Sequence, residues 1–337
     1  MLSTGRSFVT GIGETLPKHR TPAPAAVQKI DFRSALHPFE NSRLVLAFST
    51  SLVILIGGLF LTIAAIGLSG TVFVIGFPLA VIFGSLWMTL QLLRSQLLGN
   101  AIRVEPEGLP EVYEALVTVR QQLAYGRRVD VYVAAEVTGK ATWLSFLGHR
   151  VILLEGDFVA NLISTDGQAG LRFIIGSFIG ALKARHARFL PTFLFLQVVD
   201  SVKFLALFLM PYLRITRYSG DQLGFLCSGD LKVTINAIGR LLVGTDIALD
   251  LQVRGVLDQI TLAQTRLLPR LAQSLNQTPH LVNRYMNVLA FSSWAAPEDF
   301  QAFTENLSED TRQRLYLLLT KTPHARAAAI RRRSGGH

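Results

Sequence analysis

Few side chains in this 337-residue sequence are placed to do chemistry, and they fall in two short segments. Residues 171–186 contain Ser177 and His186, and residues 214–224 contain Arg217, Tyr218 and Asp221. A serine becomes a nucleophile only beside a histidine or lysine that takes its proton, and no such base is identifiable within reach of Ser177. His186 stands nine residues on, which at about 100° per residue is the opposite face of a helix. Arg217 and Asp221 are four apart, so on a helix they form a local ion pair, worth roughly a few tenths of a kcal/mol if exposed and more if buried. The functional alternative for Arg217 is an anion-binding or substrate-sensing cation. Cys227 is the only cysteine. That excludes an intramolecular disulfide and a Cys-rich zinc knuckle, fits a domain facing a reducing compartment, and points to buried packing rather than a reactive thiol.

The elements that must position these residues begin with a membrane unit. Half of the residues are hydrophobic and the formal net charge is +10. The charges sit beside apolar segments, which favours an anionic lipid surface over nucleic acid as their partner. No Asp, Glu, Lys or Arg occurs from Leu44 to Leu93, room for two spans of about 20 residues each. The break falls at Gly67-Leu68-Ser69-Gly70, so residues 44–93 are expected to form a transmembrane hairpin. Arg43 and Arg94 close its ends, with Lys18, Arg20, Lys29, Arg33 and Arg103 behind them. The positive-inside rule then puts both flanks in the cytoplasm. Residues 1–43, which lack a cleavage motif of the secretory kind, are expected to be a flexible basic arm.

The soluble domain is expected over residues 94–320. Leu109, Val112, Leu116, Val119 and Leu123 have helical spacing within 105–125. Strand candidates follow at 129–134 and 149–154, then a helix at 170–186. Residues 189–213 are apolar, bounded by Pro191 and Pro211 and interrupted by Asp200 and Lys203, which can pair on one helix face. One crossing here would leave the helices on either side of it across the bilayer from each other. The segment is therefore expected to be interfacial, re-entrant, or a protein contact. From Arg214 onward the pattern is helical, with turns at Ser228-Gly229-Asp230 and Gln277-Thr278-Pro279. Residues 321–337 carry Arg326, Arg331, Arg332 and Arg333 and are expected to be a disordered basic tail on anionic headgroups, at about 1 kcal/mol per charge. No reading motif accompanies them, so nucleic acid is not an expected partner.

With these segments in order, the chain resembles the HtpX-type membrane zinc metallopeptidases. In that family the active-site helix carries H-E-x-x-H, with Gly before each His and another His five residues after the second. The flanks match at Gly176, Gly180 and His186. Two His at i and i+4 would hold zinc on one helix face, and the Glu would activate the metal-bound water. Here those positions are Ser177, Ala181 and Phe178. Downstream, Arg214, Tyr218, Ser219, Asp221 and Gly224 agree with the family's second helix, in which a Glu supplies the third ligand. That position holds Arg217, a cation in place of an anionic ligand. The resemblance also places Val151 to Gly156 on the family's edge strand and the glycine after it, with the start reading Ala141-Thr142-Trp143. It aligns Ser228-Gly229-Asp230, Ala237 and Leu241 with the segment after the third-ligand helix. Thr278-Pro279 and Arg284 match a late His-Pro element in which Thr replaces His.

The resemblance implies a mainly α-helical domain with a small mixed β-sheet, gluzincin-like, on an N-terminal transmembrane hairpin. With every ligand and the base changed, it implies a pseudopeptidase with no catalytic residue, no zinc and no other cofactor. Asp221 would lose the His it oriented, and Arg217 is expected to lie in the vacated centre and neutralise it. The function expected is that of a partner-binding scaffold or regulator, serving a membrane protein complex or quality-control system. The alternatives are an active membrane metallopeptidase with a non-standard site and a structural subunit that forms a homo-oligomer through residues 189–213. Expected partners are membrane lipids and a membrane protein. The expected location is the inner (cytoplasmic) membrane, multi-pass, with the soluble domain and both termini cytoplasmic.

Overall fold

In a computed structural model the structure describes residues 30–137, 139–146, 149–186, 203–266, 268 and 278–324. The first helix, α1 (Glu40–Thr71), is apolar on all sides, and Val53, Phe60 and Leu61 are each about 70% exposed. Its residues 40–67 are long and apolar enough to cross a membrane, the one such segment among the described residues. A helix apolar all round and unburied by protein suits lipid rather than a protein core. Only its first turns have a protein-facing stripe, Leu44, Ala47 and Ser51. The expected four-residue turn reduces to one residue: Gly67 takes φ 74°, a left-handed value that glycine adopts freely. The chain is helical again from Leu68, passes a π-turn at Val72–Gly76, and continues as α2 (Phe77–Asn100).

Strand β1 (Ala101–Arg103) follows directly, an element the sequence reading did not anticipate. Helix α3 (Pro110–Gln122) is shorter than the 105–125 expected. Pro110 sets the helical φ of the first turn and keeps Leu109 out of the helical region (φ −133°, ψ 71°), so the helix does not begin earlier. The sheet contains β2 (Asp130–Ala134), β3 (Ala141–Phe146) and β4 (His149–Glu155) in the order β1-β2-β4-β3. It is mixed: β2 and β4 are parallel, the other pairs antiparallel. Residues 151–155 are therefore interior, and the edges are β1 and β3. Arg150, Ile152 and Leu154 are buried at every second position of β4, the half-buried alternation of a strand.

Helix α4 (Gly156–His186) starts at the end of β4 and breaks at Gly167, φ 57°. Beside the break, the fully buried Arg240 pairs with Asp166 and donates to Thr165 Oγ1 at 2.8 Å. Helix α5 (Lys203–Ser228) begins well before Arg214 and carries Pro211 within it. Residues 189–202 of the expected interfacial segment, with Asp200, lie outside the described residues; 203–213 form the first half of α5. Gly229 (φ 71°) turns the chain into α6 (Leu231–Val243), whose Asp230 carboxylate accepts from Val233 N at 3.0 Å as N-cap. Then come α7 (Val253–Thr265), α8 (Leu281–Ala295), α9 (Pro297–Glu305) and α10 (Glu309–Leu319). The core joins α3, the sheet, α4, α5, α6 and α8 through residues such as Val119, Ile152, Phe173, Ile179, Leu223 and Leu289.

Part of each expected terminal segment belongs to the folded domain. Residues 30–43 dock on the domain: Ile30 N donates to Gln122 O at 3.2 Å, and Ala35 and His37 are buried. Apolar side chains such as Phe32 and Ala35 give this stretch an interior to join. At the other end His324 is 7% exposed and packs inside rather than belonging to a tail.

Candidate functional site

The centre of the domain is the contact between α4 and α5. Gly176 lies against Gly224 and Cys227, and Gly180 against Gly220 and Leu223, so the helices run antiparallel with small residues facing. The approach is backbone to backbone. A Cβ on Gly224 would stand 2.7 Å from Phe173 O and 2.9 Å from Ser177 N, and one on Gly180 2.8 Å from Leu223 Cβ. The glycines that looked like flanks of a ligand motif are the contact surface itself. Ser177 is buried, its Oγ donating to Ile174 O at 2.9 Å in the turn before it, and Ala181 is fully buried. No base reaches that hydroxyl among the described residues, and the carbonyl bond gives it a structural use.

Phe178 points to the sheet side of this seam. The Arg217 guanidinium, from α5, lies 5.0 Å from the Phe178 ring centroid and 4.9 Å from that of Trp143 on β3. Trp143 is directly opposite Ile152 across the β3–β4 ladder, so both side chains point to the same, buried face of the sheet. A guanidinium between two rings gains from both quadrupoles, about 0.5–2 kcal/mol each depending on desolvation. Three elements thus meet at Arg217: the edge strand, α4 and α5. The positions singled out in the sequence, Ser177, Phe178, Ala181 and Arg217, are neighbours in space.

The expected neutralisation of Asp221 by Arg217 is not found. Asp221, 1% exposed at its side chain, is held by Arg284 of α8 in a bidentate pair, Nε to Oδ2 at 2.8 Å and Nη2 to Oδ1 at 2.7 Å. The two α5 side chains diverge, Arg217 to the rings and Asp221 to α8, because the planar fork of Arg284 matches a carboxylate with two parallel bonds. Burial works against the charge of Arg284, but the Asp221 carboxylate and its hydrogen bonds outweigh it and hold the guanidinium above its ordinary range.

Around the next turn of α5 lies a polar cluster of which the sequence reading singled out Tyr218 and Ser219 but none of their partners. Ser219 Oγ donates to Glu40 Oε2 at 2.5 Å and accepts from His37 N at 3.0 Å. The His37 ring stacks on Tyr218 at 5.7 Å and meets His324 edge-on at 5.4 Å. Gln222 Nε2 lies 2.7 Å from His324 Nε2 and donates to Asn287 Oδ1 at 3.2 Å. Burial, and then His324, pull His37 down to about 3; burial pulls His324 down to about 4. Cys227 is buried against Gly176, and burial pushes its thiol up to about 12. His186 closes α4.

These residues do not fit a zinc ion. Ser177, Phe178 and Ala181 supply no imidazole or carboxylate, Arg217 brings a positive charge, and the backbone contact at Gly220 and Gly224 fills the space between the helices. Among the described residues no three His, Cys, Asp or Glu side chains gather in a metal-holding arrangement. A separate cavity of about 580 Å³, lined by residues including Lys232, Asn236, Tyr285 and Asp299, contains none of the site residues. What the centre offers is a ring-held cation beside an edge strand. Comparison of the chain with protein-family models, with curated proteins and with solved structures finds no match.

Proposed function

We propose that this chain is a pseudopeptidase of the HtpX type, anchored in a membrane, that binds a partner protein instead of cutting it. The observation that carries the reading is the Trp143–Arg217–Phe178 stack. The resemblance assigns Phe178 to the general base and Arg217 to the third metal ligand, and side chains at both positions are engaged with each other. The edge strand β3 stands beside them, and an extended segment adds to such an edge through main-chain hydrogen bonds. A gluzincin-like ancestry explains why a helix pair, an edge strand and Asp221 remain around a centre without ligands.

In this proposal α1 crosses the membrane, the chain turns at Gly67, and α2 returns, leaving the domain on the cytoplasmic side with Arg43 and Arg103 near the surface. The membrane protein bound lies along β3. The test is a photo-crosslinking amino acid placed at Thr142 of the full chain in its native membrane, with Asn306 as a remote control. A protein adduct from 142 alone, diminished by Arg217→Ala, is the expected result. Equal adducts from both positions, or cleavage of an unfolded membrane protein that stops on adding a chelator, would refute the reading.

A further inference from the structure

Helices α6 and α9 each turn one stripe toward the cavity of about 580 Å³. On α6 the stripe is Lys232, Ile235, Asn236 and Gly239, and on α9 it is Asp299, Ala302, Phe303 and Asn306. Both run at i, i+3, i+4 and i+7, one face of a helix. Tyr285 of α8 lines the cavity as well, and the turn at Ala248–Asp250 brings Ala248 and Leu251 to it. Gly239 leaves room there, since a Cβ at that position would meet nothing closer than 3.5 Å.

Tyr285 is 2% exposed. Among the described residues no group hydrogen-bonds its hydroxyl, and protein does not enclose the oxygen, so it opens on the cavity. A polar group on a side chain this buried is ordinarily answered by a partner, and here the partner has to come from the cavity. Burial pushes the phenol above its ordinary range, which keeps it a neutral hydroxyl. Asn236, half-buried, has no side-chain hydrogen bond among the described residues either.

The charged residues of the lining, Asp230, Lys232 and Asp299, are all exposed. A charged head drawn in as far as Tyr285 would leave water with no buried counter-charge to meet it, which is costly. An uncharged head loses less. A primary amide suits both groups, because its carbonyl accepts from the phenol and its carbonyl and NH₂ match the side-chain amide of Asn236. An apolar body attached to it has Leu231, Ile235, Leu251, Phe303 and Leu307 to lie against, and the volume is that of a small-molecule site.

We propose that the cavity between α6 and α9 is a binding site for a small uncharged amide with an apolar body, held through the Tyr285 hydroxyl and Asn236. It shares no residue with the Arg217 stack or with β3, so it stands or falls apart from partner binding there.

Naphthamide is dialysed to equilibrium against the full chain in phosphatidylcholine discs, with empty discs as the blank. The wild type is expected to retain it above the blank, and to hold naphthoate and naphthylmethylamine roughly tenfold more weakly or worse. Tyr285→Phe is expected to weaken naphthamide binding by roughly fivefold to tenfold while leaving the unfolding temperature unchanged, because the hydroxyl has no protein partner to lose. Ala302→Trp, at an exposed position of the α9 stripe, is expected to fill the cavity and abolish retention. No retention above the blank, equal retention of the three heads, or unchanged binding in Tyr285→Phe shows a groove filled by water and overturns the site. A marked fall in the unfolding temperature of Tyr285→Phe overturns it too, by showing that the hydroxyl serves the fold. Full retention in Ala302→Trp places the amide elsewhere.

Discussion

Asp221 is the residue on which the two halves of the site depend. Its carboxylate is buried and answered by one cation, Arg284. Replacing Arg284 by Met leaves that carboxylate without a partner, and the expected cost is about 3–5 kcal/mol, read as a lower unfolding temperature. Replacing both, Asp221→Leu with Arg284→Met, is expected to recover much of it, since an apolar pair of similar volume often substitutes for a buried ion pair. Cys227 makes a milder case. With its thiol pushed up to about 12 and 2% of its surface exposed, it is expected to stay unmodified by maleimide at neutral pH until the chain unfolds, and rapid labelling of the folded protein would contradict the packing described. Arg217 and Asp221 also show where residue-level reading stops. Four-residue spacing makes a pair available, but α8 and β3 decide the partners, and neither is local. Glu40 and Ser219, and His37 and His324, are too far apart in sequence for any pattern to join them.

Among the elements, the α4–α5 seam makes the sharpest demand on sequence. Gly224→Ala would drive a Cβ into two backbone atoms that cannot turn aside, and an overpacked core costs typically 1–3 kcal/mol, about that or more here. Gly239→Ala on α6 meets nothing closer than 3.5 Å; there the helical gain of alanine, about 1 kcal/mol, leaves stability unchanged or raised. Equal effects of the two substitutions would refute a close-contact role for Gly224. The clasp of residues 30–40 and His324 on α5 predicts a pH response. Both histidines have folded values, about 3 and about 4, below the ordinary 6.5, so the unfolded chain takes up protons first. Their stabilisation is complete above about pH 6.5 and is lost as pH falls toward 4, with Glu40 and Tyr218 the ionisable neighbours of His37. Thermal unfolding across that range should fall less steeply in His324→Gln than in the wild type. Helix α3, the second half of α4 and strands β2 and β4 were legible from apolar spacing, whereas β3 and the first half of α4 were not, and neither was the seam: Gly176, Gly180 and Gly224 were read for the motif they frame, and their packing use appears only when α4 and α5 are side by side. Strand β1 was missed because three residues are too few for a period to show.

At the scale of the whole molecule, a helix apolar on every side is joined to a domain whose core has the ordinary make-up of a soluble one. The charge-free run from Leu44 and the basic residues before it made that division readable in composition, though not the docking of residues 30–43, which look like a linker until Phe32 and Ala35 find the core. The domain then holds, at its centre, a cation between rings, which in the proposed reading stands where a metal's ligands would be. That substitution is the central claim, and zinc content of the full chain tests it most directly. Elemental analysis of the protein purified in detergent from zinc-replete cells is expected to find far less than one zinc per chain, with unfolding temperature unchanged by a chelator. One tightly held zinc per chain, removed by the chelator with loss of stability, would contradict the account.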